Sequence, residues 1–487
     1  MARNQVKSQT GQERYNSKAR RVLIHQFRFL KIDFIDSPKK INSSEFPDYV
    51  FLDTSDGYYP NFPVIIQGNG DPWTVGNLYL TSKLQRESGY ESRTFRGIAD
   101  HLLDYLRFLE SENLDYLYLP KNTRLKVTFR YKQRLVELRD NGKISPATAR
   151  NRINAIVNFY REIIDWNIIE KNQISNPPFD DVIKKVRITS DVGTESTHKV
   201  RSHSLAITTP KKQKQSEYIS DGGDLRPLTV TEQESVLKAL LESSREYQLI
   251  FYFALFTGAR IQTVGTLRIK HLNGKLDGNG YLRLPIGSGT LVDTKRGKQM
   301  TLLVPGWLVK DLLIYSRCNE AIKRRKRSFY GDNEDNYIFL SKNGVPYYTS
   351  KKEMYDRQNT QVSKYAHLSD RAKEASIQDG SAVRQHIREI LLHRIHIKNP
   401  NFQEFTFHDL RASFGMNLLE SQLENMGTQA ITAALEYVQQ RLGHRDKATT
   451  MQYLNYKSRL EWKASIQSKF EIKLFAHVNS PTSRNAV

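Results

Sequence analysis

A multi-domain, mainly α protein is what this sequence predicts, with a mixed but mostly helical C-terminal half and a small strand-containing N-terminal region. Three observations lead there. The chain runs to 487 residues, more than a single core of about 100–200 residues organises. Apolar residues recur at helical spacing from Thr94 to about Ile164 and again from Leu228 onwards. Ahead of residue 80, short apolar runs alternate with Gly, Pro, Asn and Asp, the turn formers that punctuate strands.

Composition narrows the function classes before any motif is considered. Lys and Arg number 74 against 52 Asp and Glu, a formal net charge of +22, and a polyanion is the simplest partner for that surplus. Nucleic acid is favoured over membrane, because no run of about 18 apolar residues is present to span a bilayer. The single cysteine, Cys318, excludes an internal disulfide framework and a Cys-rich zinc site, points to a reducing compartment, and reads as a small buried apolar residue. Met1 to Thr10 hold no apolar run of signal-peptide type, so a cytoplasmic, nucleoid-associated location is expected.

Residues 1–91 are expected to comprise a flexible basic arm (Arg14, Lys18, Arg20, Arg21) and a small strand-rich unit with apolar segments at Tyr49–Leu52, Val64–Ile66 and Leu78–Leu80. No motif decides whether that unit is an accessory DNA-binding domain or a plain extension. Residues 92–179 form a helical unit. Ile98, Leu102, Leu103, Leu106 and Leu109 share one helix face, a second helix covers Lys126 to Leu138, and Ser145 caps a third that begins at Pro146 and runs to about Ile164. In the third helix Ile153, Ile156, Val157 and Tyr160 face inward, which leaves Arg150 and Arg152 as candidate DNA contacts.

Residues 180–224 turn polar and lose apolar periodicity, as expected of a flexible basic linker able to follow a DNA backbone. A further domain spans 225–475. A capping box of Thr231 with Glu234 opens its first helix, a buried helix over Leu249–Phe256 ends at Gly258, and Thr290–Pro305 reads as two strands around a Gly turn. The basic run Lys323–Arg327 is either a DNA contact or a solvated helix face. Trp462, Ile466, Phe470 and Leu474 make a helical apolar stripe within Leu460–Phe475 that something must cover, and 476–487 is expected to be a disordered tail.

The chemistry is carried by residues spread through this last domain. Gly258-Ala259-Arg260, Lys295, His408-Asp409-Leu410-Arg411, Leu442-Gly443-His444 and, nine residues on, Tyr453 follow one another in the order Arg, Lys, His-x-x-Arg, Leu-Gly-His, Tyr. That order resembles the active-site pattern of the tyrosine recombinases, the phage-integrase family of site-specific DNA recombinases. The resemblance covers roughly Thr94 to Phe475 and is most specific from His408 to Tyr453. It implies that 92–179 is a helical core-binding domain clamping one side of a duplex and that 225–475 is a catalytic domain. The implied partner is double-stranded DNA at specific recombination sites, and the helix within 460–475 would link subunits into a homotetramer. No metal or other cofactor is implied. One position departs from the family: three residues after Arg260 it has an acidic residue, and here stands Thr263.

The residue types suit phosphodiester exchange. Its transition state gathers negative charge on the phosphoryl oxygens, to two of which the planar, permanently charged forks of Arg260 and Arg411 can donate. His408, one helical turn before Arg411, is implied as a base or a phosphate donor, and His444 as a donor to a non-bridging oxygen. Tyr453 is the implied nucleophile, with Tyr456 its nearest rival; a phenol of pKa about 10 needs cations and a base beside it. The leaving 5′ oxygen needs an acid, for which Lys295 is chosen and Lys298 kept as alternative and as a DNA contact. A type IB topoisomerase-like enzyme would share this chemistry, and a non-catalytic DNA-binding regulator would keep the fold without it.

Overall fold

The computed structural model describes residues 15–34, 49–53, 58–86, 90–189, 195–208, 218–358, 377–426 and 431–458. Most of the expected arm, part of the linker, the apolar stripe of 460–475 and the expected tail lie outside them. The chain divides into two compact units, Met1–Lys212 and Gln213–Val487.

In the first unit β1 (Arg20–Phe27) pairs antiparallel with β4 (Tyr59–Ile66), and β2 (Leu30–Phe34) with β3 (Tyr49–Asp53). Four helices follow: α1 (Thr74–Arg86), α2 (Ser92–Ser111), α3 (Val127–Asp140) and α4 (Pro146–Asp165). Leu78–Leu80, expected in a strand, lies in α1, where Val75, Tyr79, Leu80 and Leu84 are buried at helical spacing. The Asn77 amide ties that helix to the sheet by bonding both the N–H and the carbonyl of Ile65, at 2.8 and 2.9 Å. Ser145 caps α4 by accepting from Thr148 N–H at 3.1 Å, with Pro146 in the first turn.

One apolar cluster joins Phe62, Ile65, Trp73 and Tyr79 to Phe95, Leu102, Ile153 and Tyr160. The expected divide between 91 and 92 is therefore no packing boundary. The expected flexible linker differs too: its first part is a hairpin of β5 (Asp181–Thr189) and β6 (Glu195–His203), paired antiparallel throughout. Exposed Arg150 stands at the surface as expected. Arg152 does not: its guanidinium lies 2.8 Å from the buried Asp104 carboxylate, which also accepts from Tyr131 Oη at 2.9 Å. A buried carboxylate without a cation is costly, so the helix that carries Arg152 uses it to neutralise the core.

The second unit begins with the short hairpin β7 (Ile219–Ser220) and β8 (Asp224–Leu225). Helix α5 (Val230–Leu240) is capped two residues earlier than expected: Thr229 accepts from Glu232 N–H, and the Glu232 carboxylate accepts from Thr229 N–H at 2.9 Å. Next come α6 (Arg245–Thr257), α7 (Ile261–Gly265), and the antiparallel pair β9 (Tyr281–Ile286) and β10 (Met300–Pro305). Helices α8 (Gly306–Arg317), α9 (Asn319–Lys326), α10 (Lys351–Gln358), α11 (Ser381–His386) and α12 (Leu392–Lys398) follow, the last two joined by a π-helical turn. Then α13 (Asp409–Met426), α14 (Ile431–Leu442) and a helix over 447–458 complete the described chain.

The basic run on α9 fits neither expected role as a whole. Arg324 pairs with Glu246 and Arg325 with Asp332, at 2.8 and 2.7 Å, while Lys323 and Lys326 are exposed. Cys318, between α8 and α9, is half-buried. Among the described residues no helix is long and apolar enough to cross a membrane.

Three half-buried histidines are expected to make this fold acid-sensitive. Burial, with nearby arginines, pushes His386 and His408 down to about 4. His271 is also pushed to about 4 by burial; its Nδ1 accepts from Arg268 N–H at 3.0 Å and its Nε2 donates to the Thr290 carbonyl at 3.0 Å, which fixes the neutral ring. An unfolded histidine titrates near ~6.5, so the unfolded chain binds the extra protons as pH falls from there to about 4. Stability is full above that interval and declines through it, by on the order of a few kcal/mol in total. Thermal midpoints measured from pH 7 to 4 are expected to fall, less steeply in His386→Gln; a flat profile would contradict this.

Candidate active site

The frame of the site is set by helix ends. Helix α6 stops because Gly258 takes φ +69°, and a side chain there would also collide with Phe414, 2.6 Å from an added Cβ. Arg260 follows two residues on, at the start of α7. Gly415 on α13 is equally constrained: a Cβ would come within 2.5 Å of the Tyr453 ring, so the helix carrying Arg411 and the one carrying Tyr453 pack at glycine distance. His408 lies in the turn just before α13 and not on it, with Asp409 as first helical residue. Buried Asp409 fastens that turn, accepting from Thr406 N–H at 2.7 Å and from Arg226 N–H, next to β8, at 2.9 Å.

Five of the six expected residues meet at a residue that sequence reasoning did not select, Asp221 in the turn of the β7–β8 hairpin. Its Oδ2 accepts from Arg411 Nε at 2.8 Å and His444 Nε2 at 3.0 Å, and Tyr453 Oη lies 3.5 Å away. Oδ1 accepts from Arg260 at 3.2 Å, and the Asp221 carbonyl accepts from His408 Nε2 at 3.1 Å. Lys295, the sixth, brings its Nζ to 3.2 Å from where a Cβ on Gly222 would stand. The only signal for Asp221 in the sequence was an acid beside two glycines in a basic stretch, which marks a turn and nothing more.

Charges at this point are strongly coupled. Burial opposes ionisation of Asp221, but the His444 hydrogen bond and the charges of Arg411 and Arg260 outweigh it and hold the carboxyl far below the usual range. Burial, followed by repulsion from Arg260 and Arg411, keeps His408 neutral, so its Nε2–H is a donor to the carbonyl. Burial and then the Asp221 charge push the Tyr453 phenol up, and Arg411 and Arg260 act against them. Arg260 is lowered to about 10 by burial and by Arg411, and stays charged at neutral pH. His444 is braced from behind, its Nδ1 2.9 Å from the buried Thr450 hydroxyl. Tyr456, the rival tyrosine, sits in the same apolar cluster as Tyr453.

The lysine segment departs from expectation. Thr290–Thr294 is not a strand; the strands are β9 and β10, and Lys295–Gly297 form a short helical turn between them, with Arg296 at φ +61°. Lys295 is exposed and lines the cleft with Arg260 and His444. Lys298 donates from Nζ to the Gly443 carbonyl at 2.5 Å, which ties β10's approach to the loop before His444. Where the family has an acid after its first arginine, buried Thr263 donates from Oγ1 to the Asp293 carbonyl at 3.0 Å and so braces the lysine segment instead. Among the described residues no group of three His, Cys, Asp or Glu side chains could hold a metal ion.

A sequence model of the phage integrase family matches residues 226–459, which contain all six expected residues. This domain belongs to the phage integrase family. Among solved structures, this chain resembles the Tn1549 transposon integrase in complex with transposon right end DNA, at 15% identity, over 80% of this chain and 99% of that one, with a TM-score of 0.41. It also resembles a lambda integrase dimer bound to a COC′ core site, at 15% identity, over 78% of this chain and 94% of that one, with a TM-score of 0.40. Among curated proteins none matches in sequence.

Proposed function

We propose that this protein is a site-specific DNA recombinase that cleaves and rejoins double-stranded DNA through a 3′-phosphotyrosyl intermediate, mobilising or integrating a genetic element. The observation that carries it is the convergence of Arg260, Arg411, His444 and Tyr453 on the Asp221 carboxylate, with His408 on the carbonyl of the same residue. A carboxylate and the two non-bridging oxygens of a phosphodiester ask for the same donors. With the scissile phosphate in that place, both guanidinium groups and His444 face oxygens on which charge builds up. His408 donates to the phosphate from the same Nε2 that now holds a carbonyl.

Tyr453 Oη then attacks phosphorus and the bond to the 5′ oxygen breaks. The phenol's proton passes to a water in the cleft, and the leaving oxygen takes one from Lys295, which is left neutral until the reverse step returns both protons. The energy of the broken bond is kept in the phosphotyrosine, and a 5′-hydroxyl from a partner duplex reverses the step, so the reading requires no cofactor. Arg150 serves as a DNA contact from the first unit. Assembly is as a homotetramer on DNA through the helix expected within 460–475.

Duplexes drawn from the DNA flanking the encoding gene, nicked beside each candidate position, test the proposal. A covalent protein–DNA adduct is expected, with the DNA attached to the peptide that contains Tyr453; attachment at Tyr456 or no adduct on any duplex would overturn it. The two lysines separate by leaving group. Lys295→Ala is expected to lower adduct formation by about 10²–10⁴-fold, the usual worth of a general acid, and to recover on DNA whose 5′ leaving atom is sulfur, which needs no proton. Lys298→Ala is expected to lose less and to show no such recovery; the reverse pattern would exchange their roles.

A further inference from the structure

The residue holding the catalytic side chains together has itself no evident part in strand exchange. We infer that the turn Asp221–Gly222–Gly223 is an autoinhibitory plug, a built-in phosphate mimic that must leave before DNA enters the site. The inference rests on the recombinase reading above and adds a regulatory step to it.

Occupancy is the first argument. Asp221 Oδ2 takes the Arg411, His444 and Tyr453 groups, and Oδ1 takes Arg260. A phosphodiester needs those same donors, and two anions cannot be served by them at once. The backbone blocks the cleft as well. The Asp221 carbonyl holds His408, and Gly222, at φ +73°, leaves 3.2 Å between a would-be Cβ and Lys295 Nζ.

Anchoring is the second. The hairpin is only two residue pairs long, Ile219 with Leu225 and Ser220 with Asp224. Its seat is nevertheless specific: Ile219 is fully buried beside Phe414 and Tyr453, and Ser220 N–H donates to Gln452 Oε1 at 2.8 Å, next to the nucleophile. So short an element is held by the site and not by its own sheet, which makes it displaceable by a competing anion. While it is seated, its negative charge also disfavours the phenolate that the reaction needs.

Two variants unseat the plug by different means. Asp221→Ala removes the anion; Gly222→Ala keeps it but strains the left-handed turn and crowds Lys295. Both are expected to form the covalent adduct on nicked duplexes about tenfold faster than the unaltered protein or more, since apparent affinity scales with the fraction of protein whose site is open. With inorganic phosphate as probe, the thermal midpoint of Asp221→Ala is expected to rise by several degrees over chloride of equal ionic strength, and that of the unaltered protein to stay nearly level. Slower or unchanged adduct formation in both variants overturns the plug while leaving the recombinase reading intact. No adduct from any of the three proteins, with the phosphate response present, leaves the plug standing as an anion-site occupant and overturns the recombinase reading.

Discussion

Tyr453→Phe is expected to abolish covalent attachment to DNA while leaving the protein as stable as before. The two halves of that result come from separate observations. The ring is fully buried against Gly415 and within the cluster of Phe414, Leu442 and Met416, and phenylalanine keeps all of that packing. The hydroxyl makes only a 3.5 Å approach to a carboxylate that already has stronger donors, so its removal changes stability by no more than about 1 kcal/mol. The chemistry has no substitute for the lost oxygen, so adduct formation falls by about 10⁴-fold or more. Labelled nicked duplex followed on denaturing gels reads the rate, and calorimetry reads the fold. Tyr456→Phe is the control, expected to cleave within about threefold of the unaltered protein. An adduct surviving in Tyr453→Phe and lost in Tyr456→Phe would move the nucleophile one turn along the helix.

How much of this was legible in the sequence depends on whether local pattern or distant packing decides each feature. The helices of the first unit were legible, since Ile98 to Leu109 and Ile153 to Tyr160 repeat at a period that only a helix uses, and Ser145-Pro146 fixes where one of them starts. The β5–β6 hairpin was not. Val182, Ile183 and Val200 are exposed, so no buried face imposed an alternation that would distinguish it from a polar linker. Arg152 looked free because its partner Asp104 is a polar residue hidden within the apolar stripe of another helix, a pairing that no single-helix pattern reveals. The six expected residues were singled out by their order along the chain and not by any local physics. Asp221 escaped for the same reason in reverse: its meaning lies wholly in four donors that come from positions 39 to 232 residues away.

Arg411→Lys is expected to disable the protein twice over, although it keeps the charge. Every nitrogen of the Arg411 guanidinium is used: Nε donates to Asp221 at 2.8 Å, one terminal nitrogen to the Gly258 carbonyl at 2.8 Å and the other to the Leu442 carbonyl at 2.5 Å. Those two carbonyls belong to the C-terminal ends of α6 and α14, where unpaired carbonyls and the helix dipoles both favour a cation. A lysine ammonium is a point donor on a flexible stem and cannot span the three directions at once. At least one buried helix-end carbonyl is left unpaired, and with the weakened Asp221 pair the loss comes to on the order of 3–5 kcal/mol. For a unit the size of Gln213–Val487 that lowers the thermal midpoint by about 5–9 °C. Adduct formation per folded molecule should fall by about 10²–10³-fold, because the phosphate loses one of its two guanidinium donors. Measuring both quantities on the same preparation separates the roles: a lowered midpoint with undiminished cleavage would make Arg411 a strut between two helix ends and leave Arg260 as the phosphate's single guanidinium.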